Sequence, residues 1–432
     1  MKMEIEKVGS QFVGSITSKS KKTGESRLKE PQDKVELGST LPPKFPQLIP
    51  PSFQINAEGK TAVIIEGSKE VLAQAKEDII AHGGKIKREL QIINGFSADV
   101  ELHYLEELRR NKALKVMPDG EMKALLDIAS PTIKATQVNT MGYTGKGKTI
   151  CLIDTGIQPH KDFTDPKTGK SRIIAFKDFV NNRTEPYDDN SHGTHCAGDA
   201  AGNGLESGGK YVGPASEANL IGVKVLDGNG SGSFSDVIAG IQWAVENKEK
   251  YGIDIISMSL GGYAQYSWKE DPVAQAVEKA VEAGITTVIA AGNSGPTAKT
   301  IATPGIAPNV ITVGAFNDMG TLDRKDDKIA SFSSRGPTRI DNLTKPDIVS
   351  PGYDIMATSN KGGYKSLSGT SMATPIVAGV VACLLQANNK LSPKEVKEVL
   401  MKTAEDRGLD PNTQGAGYID AEKAIKEAIN RK

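Results

Sequence analysis

The sequence predicts an α/β protein with a mainly parallel sheet covered by helices, preceded by a small α+β domain. Three observations predict it. From Gly147 onward, apolar runs of strand length alternate with helical segments. Those runs are apolar on both faces, as strands covered by helices on either side must be. Residues 59–119 instead follow the order β-α-β-β-α-β, a split arrangement that closes on itself over a short span.

Within the small unit, Thr61–Glu66 (TAVIIE) reads as a strand. Lys69–His82 carries Val71, Leu72, Ala75, Ile79 and Ile80 at helical spacing, and Gly83-Gly84 stops it. Lys85–Ile93 and Gly95–Val100 read as strands joined at Asn94-Gly95, a pair that tolerates positive φ. His103–Asn111 reads as a second helix and Leu114–Met117 as a short strand. This ferredoxin-like order hosts many functions, so alone it says little. In the larger part, strands are predicted at Thr149–Ile153, Asn219–Val225, Asp254–Ser259, Thr286–Ala291 and Val310–Val313, with helices such as Ser235–Asn247 and Pro272–Ala283 between them. In such sheets a ligand crevice lies outside the carboxyl ends of the strands. Residues 1–58 hold the charge-rich stretch Ser18–Lys34 and a proline run from Pro42 to Pro51, and read as a flexible or extended leader.

Composition narrows the function. The 432 residues carry 53 Lys+Arg and 53 Asp+Glu, a balance that argues against nucleic acid or an anionic membrane as partner. Aromatics are 5%, which weakens base stacking. Three cysteines, Cys151, Cys196 and Cys383, make no disulfide framework. The amino terminus has no apolar signal region and no apolar run of about 18 residues is seen, so a reduced cytoplasmic protein is the expectation, with a lost leader or non-classical export as the alternative.

Five groups of residues carry chemistry. The strand 149–153 ends in Asp154-Thr155-Gly156, a carboxylate where a crevice should open. Ser191-His192-Gly193-Thr194-His195-Cys196 holds two of the five histidines. An i, i+3 pair can bind metal, but no thiolate pair or wider ligand pattern accompanies it, and an imidazole base fits better. Gly369-Thr370-Ser371-Met372-Ala373-Thr374-Pro375 precedes a stretch apolar all round, so Ser371 sits at the start of a buried helix. Such a serine is often only a cap, yet small neighbours leave its hydroxyl reachable, and the helix dipole favours a developing oxyanion. Asn293, in AAGNSGP, offers a side-chain amide to an oxyanion, and Ser259-Leu260-Gly261-Gly262 offers open backbone to an extended peptide. An acid, an imidazole, a hydroxyl and an amide on one crevice are the parts acyl transfer needs.

The order Asp, His, Ser, with DTGI at 154–157, SHGTHCAG at 191–198 and GTSMATP at 369–375, resembles the subtilisin family of serine proteases, here used as the known example of that triad order. AAGNSGP, FSSRGP (332–337) and KPDIVSPG (345–352) extend the likeness over roughly Ser130 to Ala424. TEPYDDNSHGTHCAGD (184–199) with EANLIGVKVL (217–226) is especially similar to the AprX-type branch, whose members lack an obvious classical signal peptide. The resemblance implies a three-layer αβα domain over 123–432 and a propeptide, an intramolecular chaperone and inhibitor, over 59–122. It implies Ser371 as nucleophile, His192 as base and acid, Asp154 as orienting carboxylate, and Asn293 with the Ser371 N–H as oxyanion donors. Ser259, Leu260 and Gly261 would line one wall of the substrate pocket, Ala291 and Gly292 the other, and Gly262 would help hold the substrate strand. His195 matches a structural position. Polypeptides would be the substrates, with self-processing close to Met122–Lys123 and the segment Val116–Lys123 lying in the active site as a substrate-like strand.

Departures from the family pattern matter as well. No cofactor is required for the chemistry. The strong calcium loop expected after the His helix is not matched by Gly202–Lys210, and Asp162 is the one residue at a family calcium position. Ser294 stands where an acidic residue is often found at the pocket floor, which favours apolar or medium-sized side chains over basic ones. Cys196, four residues after His192, is expected on the same helix, where thiol reagents would crowd the imidazole.

Overall fold

A computed structural model describes Phe53, residues 59–124 and residues 132–432, with the side chains of 121–124 excluded. The predicted leader over 1–58 lies outside the described residues apart from Phe53. That side chain is 7% exposed and packs in the small core, so the small domain recruits a residue from a segment read as leader.

The small domain is β1 (Lys60–Glu66), α1 (Lys69–Ala81), β2 (Lys85–Leu90), β3 (Gly95–Glu101), α2 (Leu102–Arg110) and β4 (Lys115–Pro118). Its sheet runs β2-β3-β1-β4 and every pairing is antiparallel. Strand β2 ends earlier than predicted, because Gln91–Ile93 tightens into a 3₁₀ turn before Asn94 takes a left-handed conformation. Alternation along β1 assigns the two faces. Val63 and Ile65 pack against the domain's own helices, while Ile64, with Leu90 and Ile93, packs into the core of the larger domain.

The larger domain begins, after β5 (Glu121–Ala124), with the short helix α3 (Ala135–Thr140). It continues through β6 (Thr149–Asp154), β7 (Ile173–Asp178), α4 (His192–Ala201), β8 (Asn219–Lys224), β9 (Ser231–Ser233), α5 (Phe234–Glu246) and α6 (Lys248–Tyr251). Then come β10 (Ile253–Met258), β11 (Leu260–Gly261), α7 (Pro272–Glu282), β12 (Thr286–Ala290), β13 (Ile311–Asn317), β14 (Lys328–Ile329) and β15 (Ile348–Pro351). The hairpin β16 (Ile355–Thr358) and β17 (Tyr364–Leu367) precedes α8 (Thr370–Ala387). The main sheet has eight strands, ordered β14-β13-β12-β10-β6-β8-β7 with β15 beside β13. All its pairings are parallel except β13 with β14.

The predicted strands recur within a residue or two, save that β13 runs on to Asn317. Strand β7 was not among the predicted strands: its apolar run, Ile173–Phe176, is short, and its residues are mostly half-buried. Helix α8 is long and apolar enough to cross a membrane, which the sequence reading did not register because Thr, Ser and Gly interrupt its apolar residues. In the fold 94% of it is buried, so its apolar surface is spent on the protein core.

Candidate active site

Strand β6 carries Asp154 to the carboxyl edge of the sheet. Its Oδ1 accepts the Thr155 N–H at 2.7 Å and lies 2.7 Å from His192 Nδ1. His192 is the first residue of α4, and Gly193 allows the helix to start there. A Cβ on Gly193 would stand 2.1 Å from the Gly156 carbonyl oxygen and 3.1 Å from Asp154 Oδ1. The loop before α4 is drawn together by Asp188, which the sequence reading did not give a role. Its carboxylate accepts the Thr155 and Thr194 hydroxyls and the N–H groups of Asn190, Ser191 and Thr194. Burial opposes its charge, but these hydrogen bonds outweigh burial and hold its pKa below the ordinary carboxylate value. A sequence signal existed in the Asp, Ser and Thr around the histidine, but nothing in it says which donors converge.

Helix α8 brings Ser371 from the other side. Its core-facing Gly379 lets it approach α4, since a Cβ there would come within 2.5 Å of the Ala200 carbonyl oxygen. Cys196 joins the two helices. Its sulfur is 3.9 Å from both ring nitrogens of His192 and donates to the Ser371 carbonyl oxygen at 3.6 Å. Imidazole and serine therefore meet around one sulfur atom. Cys196 lies on the His192 helix as predicted, and burial pushes its thiol up to about 12, so it is un-ionised at neutral pH. His192 is buried, which disfavours the imidazolium, yet the Asp154 carboxylate beside it raises the pKa well above the ordinary value.

Ser371 is anchored to the end of β10. Its hydroxyl donates to the Ser259 carbonyl oxygen at 3.3 Å, and the Ser259 hydroxyl donates to the Ser371 carbonyl oxygen at 2.6 Å. Asn293, after β12, is held by Thr370, whose N–H and hydroxyl both donate to Asn293 Oδ1 at 2.9 and 3.0 Å. This saturates the amide oxygen and assigns the NH₂ end as the donor. Thr370 also accepts the Gly292 N–H at 3.1 Å. The sequence reading missed Thr370 because nothing distinguishes it from any other first-turn threonine.

The expected pocket residues divide. Leu260 and Gly261 form β11 and pair with Ala124 and Lys123 of β5, whose other edge pairs with β9. Strand β5 is thus the middle of a three-stranded antiparallel sheet. Ala291 and Gly292 are buried, and the Ala291 carbonyl accepts the Ala302 N–H. Gly262 is not placed to receive a substrate strand. Its N–H and C=O are both taken by Thr303, so its backbone is paired within the protein. Ser294 is exposed, and its N–H donates to the Ser334 hydroxyl, so it forms no buried floor. The Met122–Lys123 peptide lies within β5, where Lys123 faces Gly261, two residues short of Ser259. His195 contacts Asp199 and the carbonyls of Ile355 and Lys365, which pins α4 to the β16–β17 hairpin.

Asp162 is tied into the protein by hydrogen bonds: its oxygens accept the N–H groups of Gly204 and Glu206 and the Tyr364 hydroxyl. Among the described residues, Asp154, His192 and Cys196 are the one trio of potential ligands close enough to share an ion, and it coincides with the acid–imidazole pair.

A buried carboxylate–imidazole pair beside a serine at a helix amino terminus, on the carboxyl edge of a parallel sheet, defines a hydrolase of the serine-nucleophile class. The subtilase family profile matches residues 145–417, and the chain belongs to that family. It is 46% identical over 395 residues to serine protease AprX of Bacillus subtilis, covering 85% of this chain and 88% of that protein. It is 32% identical over 390 residues to subtilisin J of Geobacillus stearothermophilus, covering 87% and 94%. Subtilisin DY of Bacillus licheniformis is 37% identical over 299 residues, covering 68% and 97%.

Proposed function

We propose that this chain is a serine endopeptidase made as a self-processing zymogen. Ser371 attacks the peptide carbonyl and His192 takes its proton, then returns it to the leaving amine. Asp154 fixes the imidazole tautomer and stabilises the imidazolium. Asn293 and the Ser371 N–H hold the oxyanion, and water hydrolyses the acyl-enzyme. The observation that carries the reading is the 2.7 Å contact of His192 with Asp154 at the Ser371 end of α8.

Residues 59–122 act, in this reading, as the inhibitor, and polypeptides as the substrates. Strand β5 supports this, because it occupies the gap between β9 and β11 as an extended peptide would. Docking is further supported by Arg88, which bonds Asp236 and the Phe179 carbonyl, and by Asp119, which accepts the Ser235 N–H and hydroxyl at the start of α5. A fluorophosphonate probe and a mixed peptide library test the reading on the processed chain. Labelling at Ser371 and cleavage of the library, both lost in Ser371→Ala, are expected. Absence of labelling after the small domain is removed would leave a peptide-binding scaffold instead.

A further inference from the structure

The contact between Asp154 and His192 has a second bond running beside it. Thr155 follows the carboxylate in the chain and Gly193 follows the imidazole, and the Gly193 N–H donates to the Thr155 hydroxyl oxygen at 2.9 Å. The neighbours of the two reacting residues are thus bonded to each other alongside the 2.7 Å contact of His192 Nδ1 with Asp154 Oδ1. The Thr155 hydroxyl has one proton to give, and Asp188 fixes where it goes. Asp188 Oδ1 lies 2.9 Å from that hydroxyl and, as a carboxylate oxygen, can only accept. The proton points to Asp188, and a lone pair is left for Gly193.

The other polar atoms of Thr155 are held as well. Its N–H donates to Asp154 Oδ1 at 2.7 Å. Its carbonyl accepts Lys224 Nζ at 2.7 Å, and that fully buried ammonium also donates to the Leu226 carbonyl at 2.7 Å and to Asp189 Oδ1 at 2.6 Å. The peptide group that carries the Thr155 N–H is fixed from its other end, because the Asp154 carbonyl accepts the N–H groups of Val225 and Leu226. Asp154 is held by far less. Its Oδ2 is buried and accepts no hydrogen bond among the described residues. The aim of the carboxylate therefore depends on the Thr155 N–H and on how close His192 is kept.

Resting on the endopeptidase reading above, we propose that Thr155 is a positioning residue: its hydroxyl is the strut that keeps His192 within bonding distance of Asp154, and Asp188 is the acceptor that turns the hydroxyl to that use. Thr155 acts through Asp154 and His192. A base must meet the nucleophile in one geometry, and a small misplacement of a reacting group costs a large factor in rate. The oxygen carries the role rather than the bulk of the side chain, since the oxygen makes both bonds. Three replacements separate oxygen from bulk. Serine keeps the oxygen and loses a methyl group, valine keeps the bulk and loses the oxygen, and alanine loses both.

The test compares Thr155→Val, Thr155→Ala and Thr155→Ser with the parent as processed enzymes. A trace of parent processes any variant that does not process itself, and its activity is subtracted. Active sites are counted by fluorophosphonate labelling run to completion. In the valine and alanine variants kcat should fall about 10–10²-fold with KM within about twofold of the parent, while serine should recover at least about a third of the parental kcat. The far-downfield proton resonance of His192 Nδ1 should shift or broaden with valine and alanine and hold its place with serine. If Thr155→Val does not fold, alanine and serine, which differ by one oxygen, decide the matter. A valine variant within about threefold of the parent overturns the strut, as does a serine variant no better than alanine. So does an unmoved Nδ1 resonance in a variant of lowered kcat. If the parent neither labels at Ser371 nor hydrolyses peptides, the endopeptidase reading fails, and the Nδ1 resonance alone then decides whether Thr155 holds the pair.

Discussion

The two sheets of this molecule are built on opposite plans. In the small domain every strand pairs antiparallel, and β1, β2, β3 and β4 all lie between residues 60 and 118. In the large domain β6 pairs with β8 and β10, whose residues lie about seventy to a hundred positions away. Local pairing closes short loops and forms early, whereas distant parallel pairing closes long loops before any contact rewards it. The small sheet then lends its second face, through Ile64, Leu90 and Ile93, to the core that α5 and α7 share. The difference teaches how the two sheets meet: the one built from local contacts presents a finished apolar face to elements whose own partners lie far along the chain.

Four measurements break or sharpen this contrast. The largest effect should come from Ser371→Ala, which touches the chemistry of the large domain and neither sheet. Hydrolysis of a chromogenic peptide should fall roughly 10⁶-fold, the scale established for subtilisin, while Tm stays close to that of the unprocessed parent. A variant that still processes itself would remove Ser371 from the mechanism. Asn293→Ala should lower kcat by about 10²–10³ with KM little changed, again on the subtilisin scale. A loss under threefold would mean that the amide held by Thr370 does not face the oxyanion.

The third measurement is pH. His192 must be neutral to accept a proton, and its pKa is raised by Asp154. On acidification kcat/KM should therefore decline through a midpoint above 6.5, the ordinary imidazole value, and approach about a tenfold loss per unit below it. A midpoint below that value would contradict the dominance of the carboxylate over burial. The smallest effect should come from Asp119→Ala, at the seam between the sheets. It removes the carboxylate that accepts the Ser235 N–H and hydroxyl. A cap of this kind contributes about 1 kcal/mol. In the full Ser371→Ala chain, hydrogen exchange at the Ser235 amide should rise about fivefold, with β1 and β3 unaffected. Unchanged exchange would show that Asp119 does not hold the start of α5.

Much of the site was legible in advance. Asp154, His192 and Ser371 each stand where a strand ends or a helix begins, and turn chemistry and apolar runs mark those places in the sequence. Asn293 was legible for the same reason. Thr370 and Asp188 were not, because a hydroxyl or carboxylate that only orients a neighbour leaves no pattern along the chain. Gly262 was given a substrate role from its motif, but backbone groups go to whichever partner the fold brings, and here that partner is Thr303. Phe53 likewise looked like part of a leader, since one aromatic residue among prolines shows no periodicity.

The sequence by itself determined the order of elements and set Asp154, His192 and Ser371 at strand or helix ends, because short-range periodicity and turn residues encode those places directly. Tertiary structure alone decided which hydrogen-bond donors satisfy Asp162, which sulfur lies between imidazole and serine, and how far β5 reaches along β11. Those outcomes depend on close approach between segments remote in the chain, where a shift of one residue or one ångström changes the partner. No local pattern records a distance of that kind.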